Sequence, residues 1–199
     1  MAPLRLVLAT GNSGKAREFA RLLGDGFVVE PLPATVSLPE ETGRTFAENA
    51  LLKAAATAAA LGGGAAVLAD DSGVTVDALG GRPGVQSARY AGEAADDDAN
   101  NQRLLADLAG CSDRRASFVC ALALVLPGGV LMTAEGRLPG SIVTTPRGAG
   151  GFGYDPLFQP DGCDITVAEM QDGQKDAVSH RARAVAALRE RLGDRGRGA

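Results

Sequence analysis

The chain has 199 residues, of which 45% are hydrophobic and 22% charged, and its formal net charge is −4. These values indicate an ordinary globular protein that is long enough for one full core, so a single domain over 1–199 is expected. The negative charge argues against binding to a nucleic-acid backbone, which requires a basic surface.

The cysteine content and the hydrophobic pattern bear on the cellular compartment. Three cysteines with no paired spacing fit a reducing cytosol and give no zinc pattern. The apolar run near the N-terminus is too short for a signal peptide, and no run approaches the roughly 18 residues of a membrane span. We therefore expect a cytoplasmic protein with no membrane partner.

Apolar periodicity and turn residues predict the following elements. In chain order, strands are expected at 4–9, 27–30, 66–69, 74–79, 116–126 and 130–135, and helices at 14–23, 45–61, 96–108 and 178–192. Thr45 and Glu48 form a capping box at the start of the second helix. The segment 136–156 is expected to be a loop, and 193–199 a frayed tail. Early alternation of strands and helices with a late hairpin predicts an α/β fold, a mixed sheet with flanking helices.

The first candidate site is the segment 10–15, where a strand gives way to a helix, the usual place for an anion to meet backbone N–H groups. Its residues are Thr10, Gly11, Asn12, Ser13, Gly14 and Lys15. The segment is not a P-loop, because two residues instead of four separate its glycines and Ala16 replaces the magnesium-binding hydroxyl. A plain strand–turn–helix corner is the alternative to phosphate binding.

The second candidate is Asp70-Asp71-Ser72-Gly73, which follows a buried strand. A carboxylate at a strand end can hold Mg²⁺ or accept a proton from water. The alternative is an Asx-type turn that joins two strands. Glu40 and Glu41, in a proline-bounded loop, offer further oxygen ligands, although such a pair is also common on a solvated surface.

The third candidate is the glycine-rich segment 150–156, which contains two of the chain's eight phenylalanines and tyrosines. Phe152 and Tyr154 could stack on a purine ring, and Asp155 could contact a base edge. Glycines such as Gly153 let backbone approach a ligand closely, or simply form a turn.

The last candidates lie around the start of the final helix. Lys175, one of only three lysines, precedes the sole histidine, His180, and Arg181, and such a cationic helix start attracts an anionic or carbonyl-bearing ligand. A structural histidine is the alternative. The run Asp96-Asp97-Asp98 is interpreted as the charge cluster of a helix N-terminus, with no function assigned.

Taken together, these motifs resemble those of the noncanonical purine nucleoside-triphosphate pyrophosphatases, the inosine/xanthosine triphosphatase family. The resemblance spans nearly the whole chain, through LATGNSGK, EETGRTFAENALLKA, ADDSGVTVDALGGRPGVQSARYAG, GGFGYDP and KDAVSHR. It implies hydrolysis of ITP, dITP and XTP to the monophosphate and pyrophosphate with Mg²⁺, a homodimer, and a long mixed sheet with two lobes around a central cleft.

The resemblance also assigns roles to residues. It implies that Thr10–Lys15 and Lys53 bind the triphosphate and that Ser72 lies beside the substrate. It implies that Glu40 and Asp71 bind the metal and that Asp71 is the general base. Phe152–Asp155 would bind the base, and Lys175, His180 and Arg181 would recognise the 6-oxo purine.

Two alternative functions remain open at this point. One is a pyrophosphatase of pyrimidine or modified nucleotides, whose family shares the opening strand–loop–helix but lacks the SHR motif. The other is a non-catalytic purine-nucleotide sensor, against which the set of Lys15, Glu40 and Asp71 argues. Pyrophosphate release from a panel of triphosphates distinguishes the three.

Overall fold

The computed structural model describes residues 3–94 and 96–195, and their strands form one six-stranded mixed sheet. The strands are β1 (Leu4–Ala9), β2 (Phe27–Pro31), β3 (Ala66–Val76), β4 (Arg115–Val125), β5 (Leu131–Ile142) and β6 (Phe158–Pro160). Their order across the sheet is β2-β1-β3-β4-β5-β6. Strand β1 is parallel to both β2 and β3, whereas β5 and β6 are antiparallel, so the predicted mixed α/β fold is confirmed.

Five helices accompany the sheet in the described part of the chain. They are α1 (Ser13–Leu23), α2 (Phe46–Ala60), α3 (Asp97–Asp107), α4 (Asp172–Val178) and α5 (His180–Arg195). None of the helices in the described residues is long and apolar enough to span a membrane.

The contacts divide the chain into two compact units. Unit 1 comprises 1–71, 120–136 and 181–199, and unit 2 comprises 72–119 and 137–180. Each unit has its own apolar core: α1 and α5 supply Phe19 and Leu188 to the first, and α3 and β6 supply Leu104 and Phe158 to the second. Burial of such side chains is the main contribution to the stability of each unit.

The structure corrects the prediction of two strands joined by a turn at 70–73. Strand β3 runs without interruption from Ala66 to Val76. It can pass through two aspartates because both are buried beside cationic or amide partners, described below, which satisfy charges that would otherwise terminate a buried strand. Gly73 is required there, since a Cβ at this position would lie 2.2 Å from the Ser87 hydroxyl.

The C-terminal half also differs from the prediction. The hairpin of β4 and β5 is confirmed, but β5 continues to Ile142 and β6 follows, so 136–156 is only partly a loop. The helix predicted at 178–192 is α5, which begins at His180, and the unpredicted helix α4 precedes it, separated from α5 by Ser179 in an extended conformation. Helix α5 reaches Arg195, and the rest of the predicted tail, 196–199, lies outside the described residues.

Candidate functional site

The N-terminus of α1 presents the predicted phosphate-binding segment. The side chain of Asn12 caps the helix, its Oδ1 accepting a hydrogen bond from the Lys15 backbone N–H at 2.9 Å. Residues 11–13 are exposed on this 11-residue helix. The arrangement has the geometry expected of an anion site at a helix N-terminus, although the Asn12 side chain is engaged in capping.

The side chain of Lys15 extends from this helix to Asp70 in β3. The Nζ of Lys15 lies 2.8 Å from Oδ2 of Asp70, whose side chain is completely buried. Burial raises the pKa of Asp70, but the charges of Lys15, Lys53 and Arg181 outweigh it, so the pKa lies below its usual value. Asp70 is therefore a buried anion that holds the lysine at the carboxyl end of β1.

Asp71 lies next along β3 and has different partners. Its Oδ2 accepts a hydrogen bond from Nδ2 of Asn49 at 2.9 Å, and its Oδ1 is 3.9 Å from Nζ of Lys53. Burial raises the pKa of Asp71, Lys53 lowers it and Glu41 raises it, and the net pKa lies above the usual value. The two adjacent aspartates thus have pKa values shifted in opposite directions, which is how acid and base roles are separated in active sites.

Lys53 joins Asp71 to the loop before α2. Its ammonium group contacts Oε1 of Glu41 as well as Asp71. Burial lowers the pKa of Lys53, but Asp70, Asp71 and Glu41 raise it, so the pKa lies above its usual value and the side chain is charged.

The acidic loop residue that reaches this cluster is Glu41, not Glu40. Glu40 is exposed and its side chain forms no hydrogen bond or ion pair with the described residues, whereas Glu41 pairs with Lys53. No group of three or more histidine, cysteine, aspartate or glutamate side chains in the described residues is arranged to hold a metal ion. Mg²⁺ is commonly bound through one or two carboxylates together with substrate phosphates and water.

Asn49 is a site residue that the sequence reasoning missed. Besides its bond to Asp71, its Oδ1 accepts a hydrogen bond from the Gly43 backbone N–H at 2.7 Å. It thereby ties the glutamate loop to the strand that carries Asp71. The signal in the sequence was a polar residue one turn before Lys53 in an otherwise alanine-rich helix.

In unit 2, Lys175 and Asp155 organise the aromatic segment. Nζ of Lys175 is 2.7 Å from Oδ2 of Asp155 and 4.9 Å from the ring centroid of Phe152. The same Oδ2 accepts a hydrogen bond from the Phe152 backbone N–H at 3.0 Å. The contact of the ammonium with the ring is of the cation–π type. Three of the predicted base-binding residues, Phe152, Asp155 and Lys175, therefore form one cluster.

Two of the other predicted residues are held mainly by the scaffold. Tyr154 is buried, and its hydroxyl donates a hydrogen bond to the Ser87 carbonyl at 2.8 Å. Burial raises the pKa of this tyrosine, so it stays neutral. Ser72 is half-buried in β3, directly after Asp71.

The histidine and arginine at the start of α5 have separate environments. His180 is buried and stacks on Phe118, with ring centroids 4.8 Å apart. Arg181 is buried and its Nη1 donates to Oε2 of Glu18 on α1 at 2.7 Å. Phe118 and Glu18 were not predicted as site residues, because each belongs to an element that reads as ordinary core or helix surface.

Comparison with known proteins identifies the family to which the chain is similar. Residues 6–191 match the model of the Ham1 family. The dITP/XTP pyrophosphatase of Geobacter sulfurreducens is 51% identical over 197 residues, covering 96% of this chain and 98% of that protein. The dITP/XTP pyrophosphatase of Streptomyces coelicolor is 48% identical over 200 residues, covering 95% and 99%.

Solved structures show the same fold. A Ham1 protein from Coxiella burnetii superposes with a TM-score of 0.86 at 42% identity, over 96% of this chain and 99% of that one.

Proposed function

Because the chain belongs to the Ham1 family, we propose that it hydrolyses noncanonical purine nucleoside triphosphates, among them dITP and XTP, to the monophosphate and pyrophosphate. It is a nucleoside-triphosphate pyrophosphatase, and its relatives of about half-identical sequence carry the name of that activity. ITP, which carries the same base as dITP, is included in the proposal.

The observation that carries the mechanism is the contrast between Asp70 and Asp71. Asp70 is completely buried and ion-paired with Lys15, whereas Asp71 is 3.9 Å from the Lys53 ammonium, accepts an orienting hydrogen bond from Asn49 and has a pKa raised by burial. A base works best when its pKa approaches the working pH. Asp71 is therefore the residue that takes the proton of the water attacking the α-phosphorus.

The phosphates of the substrate are assigned to the cations of unit 1. Lys15, Lys53 and the N-terminus of α1, where residues 11–13 are exposed, supply positive charge and hydrogen-bond donors for them. Pyrophosphate then leaves with its charge already neutralised, and this electrostatic stabilisation supplies most of the rate enhancement.

The metal is proposed to be Mg²⁺, held by Asp71 with a glutamate of the preceding loop and by substrate phosphates. The residues fit, because Glu41 and Asp71 both present carboxylate oxygens to the same ammonium group, that of Lys53, and carboxylate oxygens are ligands that Mg²⁺ prefers. The resemblance to the family implies that Glu40 is the glutamate that binds the metal. Glu40 is exposed, however, and the contact of Glu41 with Lys53 favours Glu41 for this role. When bound, Mg²⁺ polarises the phosphates and neutralises their charge.

The base of the nucleotide is assigned to the cluster around Lys175 in unit 2, together with His180 and Arg181. Phe152 offers an aromatic surface for a purine, and Lys175 is a charged donor suited to a 6-oxo group. A 6-amino purine would place donors against donors, which disfavours adenine.

The experiment that tests this function measures pyrophosphate release from ITP, XTP, dITP, GTP, ATP and dTTP with and without Mg²⁺. We expect ITP, dITP and XTP to be the best substrates and turnover to require the metal. Preference for dTTP would favour the pyrimidine pyrophosphatase, and binding of purine nucleotides without release would favour the sensor.

A substitution tests the general base. Asp71→Asn keeps the shape of the side chain and should lower kcat by about 100-fold or more. Asp98→Asn, which removes an exposed carboxylate that forms no hydrogen bond or ion pair with the described residues, serves as the matched control. Near-normal turnover by Asp71→Asn would show that another residue is the base.

The finer properties implied by family membership are part of the same proposal. We place the enzyme in the cytoplasm as a homodimer that uses no nucleic acid as a partner. The three unpaired cysteines, Cys111, Cys120 and Cys163, are in keeping with a reducing compartment.

A further inference from the structure

The backbone of Gly153 is held on both sides by helix α3. Its N–H donates to Oδ2 of Asp97 at 2.6 Å, and its carbonyl accepts from Nδ2 of Asn101 at 3.0 Å. Asp97 and Asn101 are four residues apart on the helix and therefore lie on the same face. One face of α3 thus satisfies both polar groups of a single glycine, 52 to 56 residues away in the chain.

The three aspartates of the run 96–98, to which the sequence analysis assigned no function, have different environments in the structure. Asp96 caps the helix by accepting a hydrogen bond from the Ala99 N–H at 2.8 Å. Asp97 reaches the glycine-rich segment instead. Asp98 is exposed and makes no hydrogen bond or ion pair among the residues the structure describes. Two of the three neighbouring aspartates therefore have distinct structural roles, and Asp98 is available as a control.

Gly153 lies between the side chains that form the base cluster. Its φ of +64° is in the left-handed region, which glycine adopts without strain. Phe152 on one side has its N–H bonded to Asp155 and its ring beside Lys175, and Tyr154 on the other is bonded to Ser87. A shift of Gly153 would move Phe152 relative to Lys175.

We propose that Asp97 and Asn101 are positioning residues for base recognition, acting by fixing Gly153 and hence the Phe152 ring and the Asp155–Lys175 pair. The inference rests on the proposed function, which assigns this cluster to the purine. Neither residue touches the reacting phosphates, so their loss affects the choice and binding of the base more than the hydrolysis step.

The first test compares Asp97→Ala with Asp98→Ala. Both variants remove one carboxylate from the first turn of the same helix, so their effects on charge and helix dipole match. We expect Asp97→Ala to lower kcat/KM for ITP about tenfold, mainly through KM, because a hydrogen bond to a charged acceptor is lost. The preference for ITP over ATP should narrow, while inhibition by inorganic tripolyphosphate, which has no base, stays unchanged.

A rescue variant separates positioning from general destabilisation. Asp97→Asn retains an oxygen that can accept a hydrogen bond from the Gly153 N–H. Its KM for ITP should therefore be close to that of the unaltered protein. Asn101→Ala should act in the same direction as Asp97→Ala, and the double variant should lose less than the sum of both, because both residues hold one segment.

Hydrogen exchange of the peptide that contains 150–155 provides a readout independent of turnover. Exchange should be faster in Asp97→Ala than in Asp98→Ala or in the unaltered protein. Equal exchange and equal KM in the two alanine variants would overturn the inference. If the unaltered protein does not turn over ITP at all, the proposed function fails, and the role in base recognition fails with it. Faster exchange in Asp97→Ala would then show only that the hydrogen bond from Gly153 to Asp97 stabilises the segment 150–155.

Discussion

At the scale of residues, the three lysines show how charge is organised in this enzyme. Each is paired with a carboxylate: Lys15 with Asp70, Lys53 with Glu41 and Asp71, and Lys175 with Asp155. A buried pair fixes the position of its ammonium group, at the cost of desolvating both charges. The lysines are thereby held in place before a substrate arrives, which reduces the reorganisation needed on binding.

This pairing predicts that Lys15 contributes to stability as well as to phosphate binding. Lys15→Met would leave the completely buried Asp70 with one neighbouring cation fewer and should lower the free energy of unfolding by about 3 kcal/mol. Lys15→Arg keeps the charge and should lose much less. Urea denaturation of the three proteins measures the difference, and equal stability of Lys15→Met and the unaltered protein would contradict it.

At the scale of elements, helix α2 departs from the usual amphipathic pattern. Its buried face carries the polar residues Asn49 and Lys53 among apolar ones, whereas Leu52 is exposed. Because this face lies against the acidic loop and β3, both polar side chains find partners there. The buried face of α2 therefore supplies side chains to the candidate site, and the rotation of the helix about its axis determines which of them reach Asp71.

The N-terminus of this helix depends on Thr45. Its hydroxyl accepts from the Glu48 N–H at 3.1 Å, as the capping box predicts, but the Glu48 carboxylate bonds the Arg44 N–H, one residue before the expected partner. Thr45→Ala should lower the free energy of unfolding by about 1 kcal/mol, and Thr45→Asp, also a good cap, should not. Chemical denaturation tests this, and an equal loss in both variants would argue against capping as the cause.

At the scale of the whole molecule, the outer face of α2 forms part of an apolar groove of about 930 Å³ in unit 1. Leu52 and Leu131, which line it, are 40% and 49% exposed. None of the residues predicted to bind substrate or metal lines this groove. Contiguous exposed apolar surface of this kind commonly marks a protein interface. A groove and projecting leucines on one surface also provide the self-complementarity that a two-fold interface needs.

The proposed homodimer can be tested on this surface. Light scattering after size-exclusion chromatography should give twice the chain mass for the unaltered protein, and Leu52→Glu should shift it toward the monomer. Val28→Glu, at an equally exposed residue outside the groove, should leave the mass unchanged. A dimeric Leu52→Glu would place the interface elsewhere, and a monomeric unaltered protein would refute the homodimer.

Local patterns in the sequence predicted much of this protein. Apolar periodicity and turn residues located β1, α1, α2, α3 and the hairpin within a few residues, because these signals depend on neighbours in the chain. The five motifs likewise identified the family and the enzymatic activity. Features that depend on partners far away in the sequence were missed, such as the unbroken β3 and the extra strand β6.

Residue types alone establish which groups are available for chemistry, namely three lysines, two adjacent aspartates and a glycine-rich aromatic segment. Which of these groups meet depends on the three-dimensional fold. It selected Glu41 over Glu40 as the partner of Lys53, gave Asp70 and Asp71 opposite pKa shifts, and brought Asp97 to Gly153. The reason is that a residue's type fixes what it can bond, whereas strand register and helix rotation fix what lies within bonding distance.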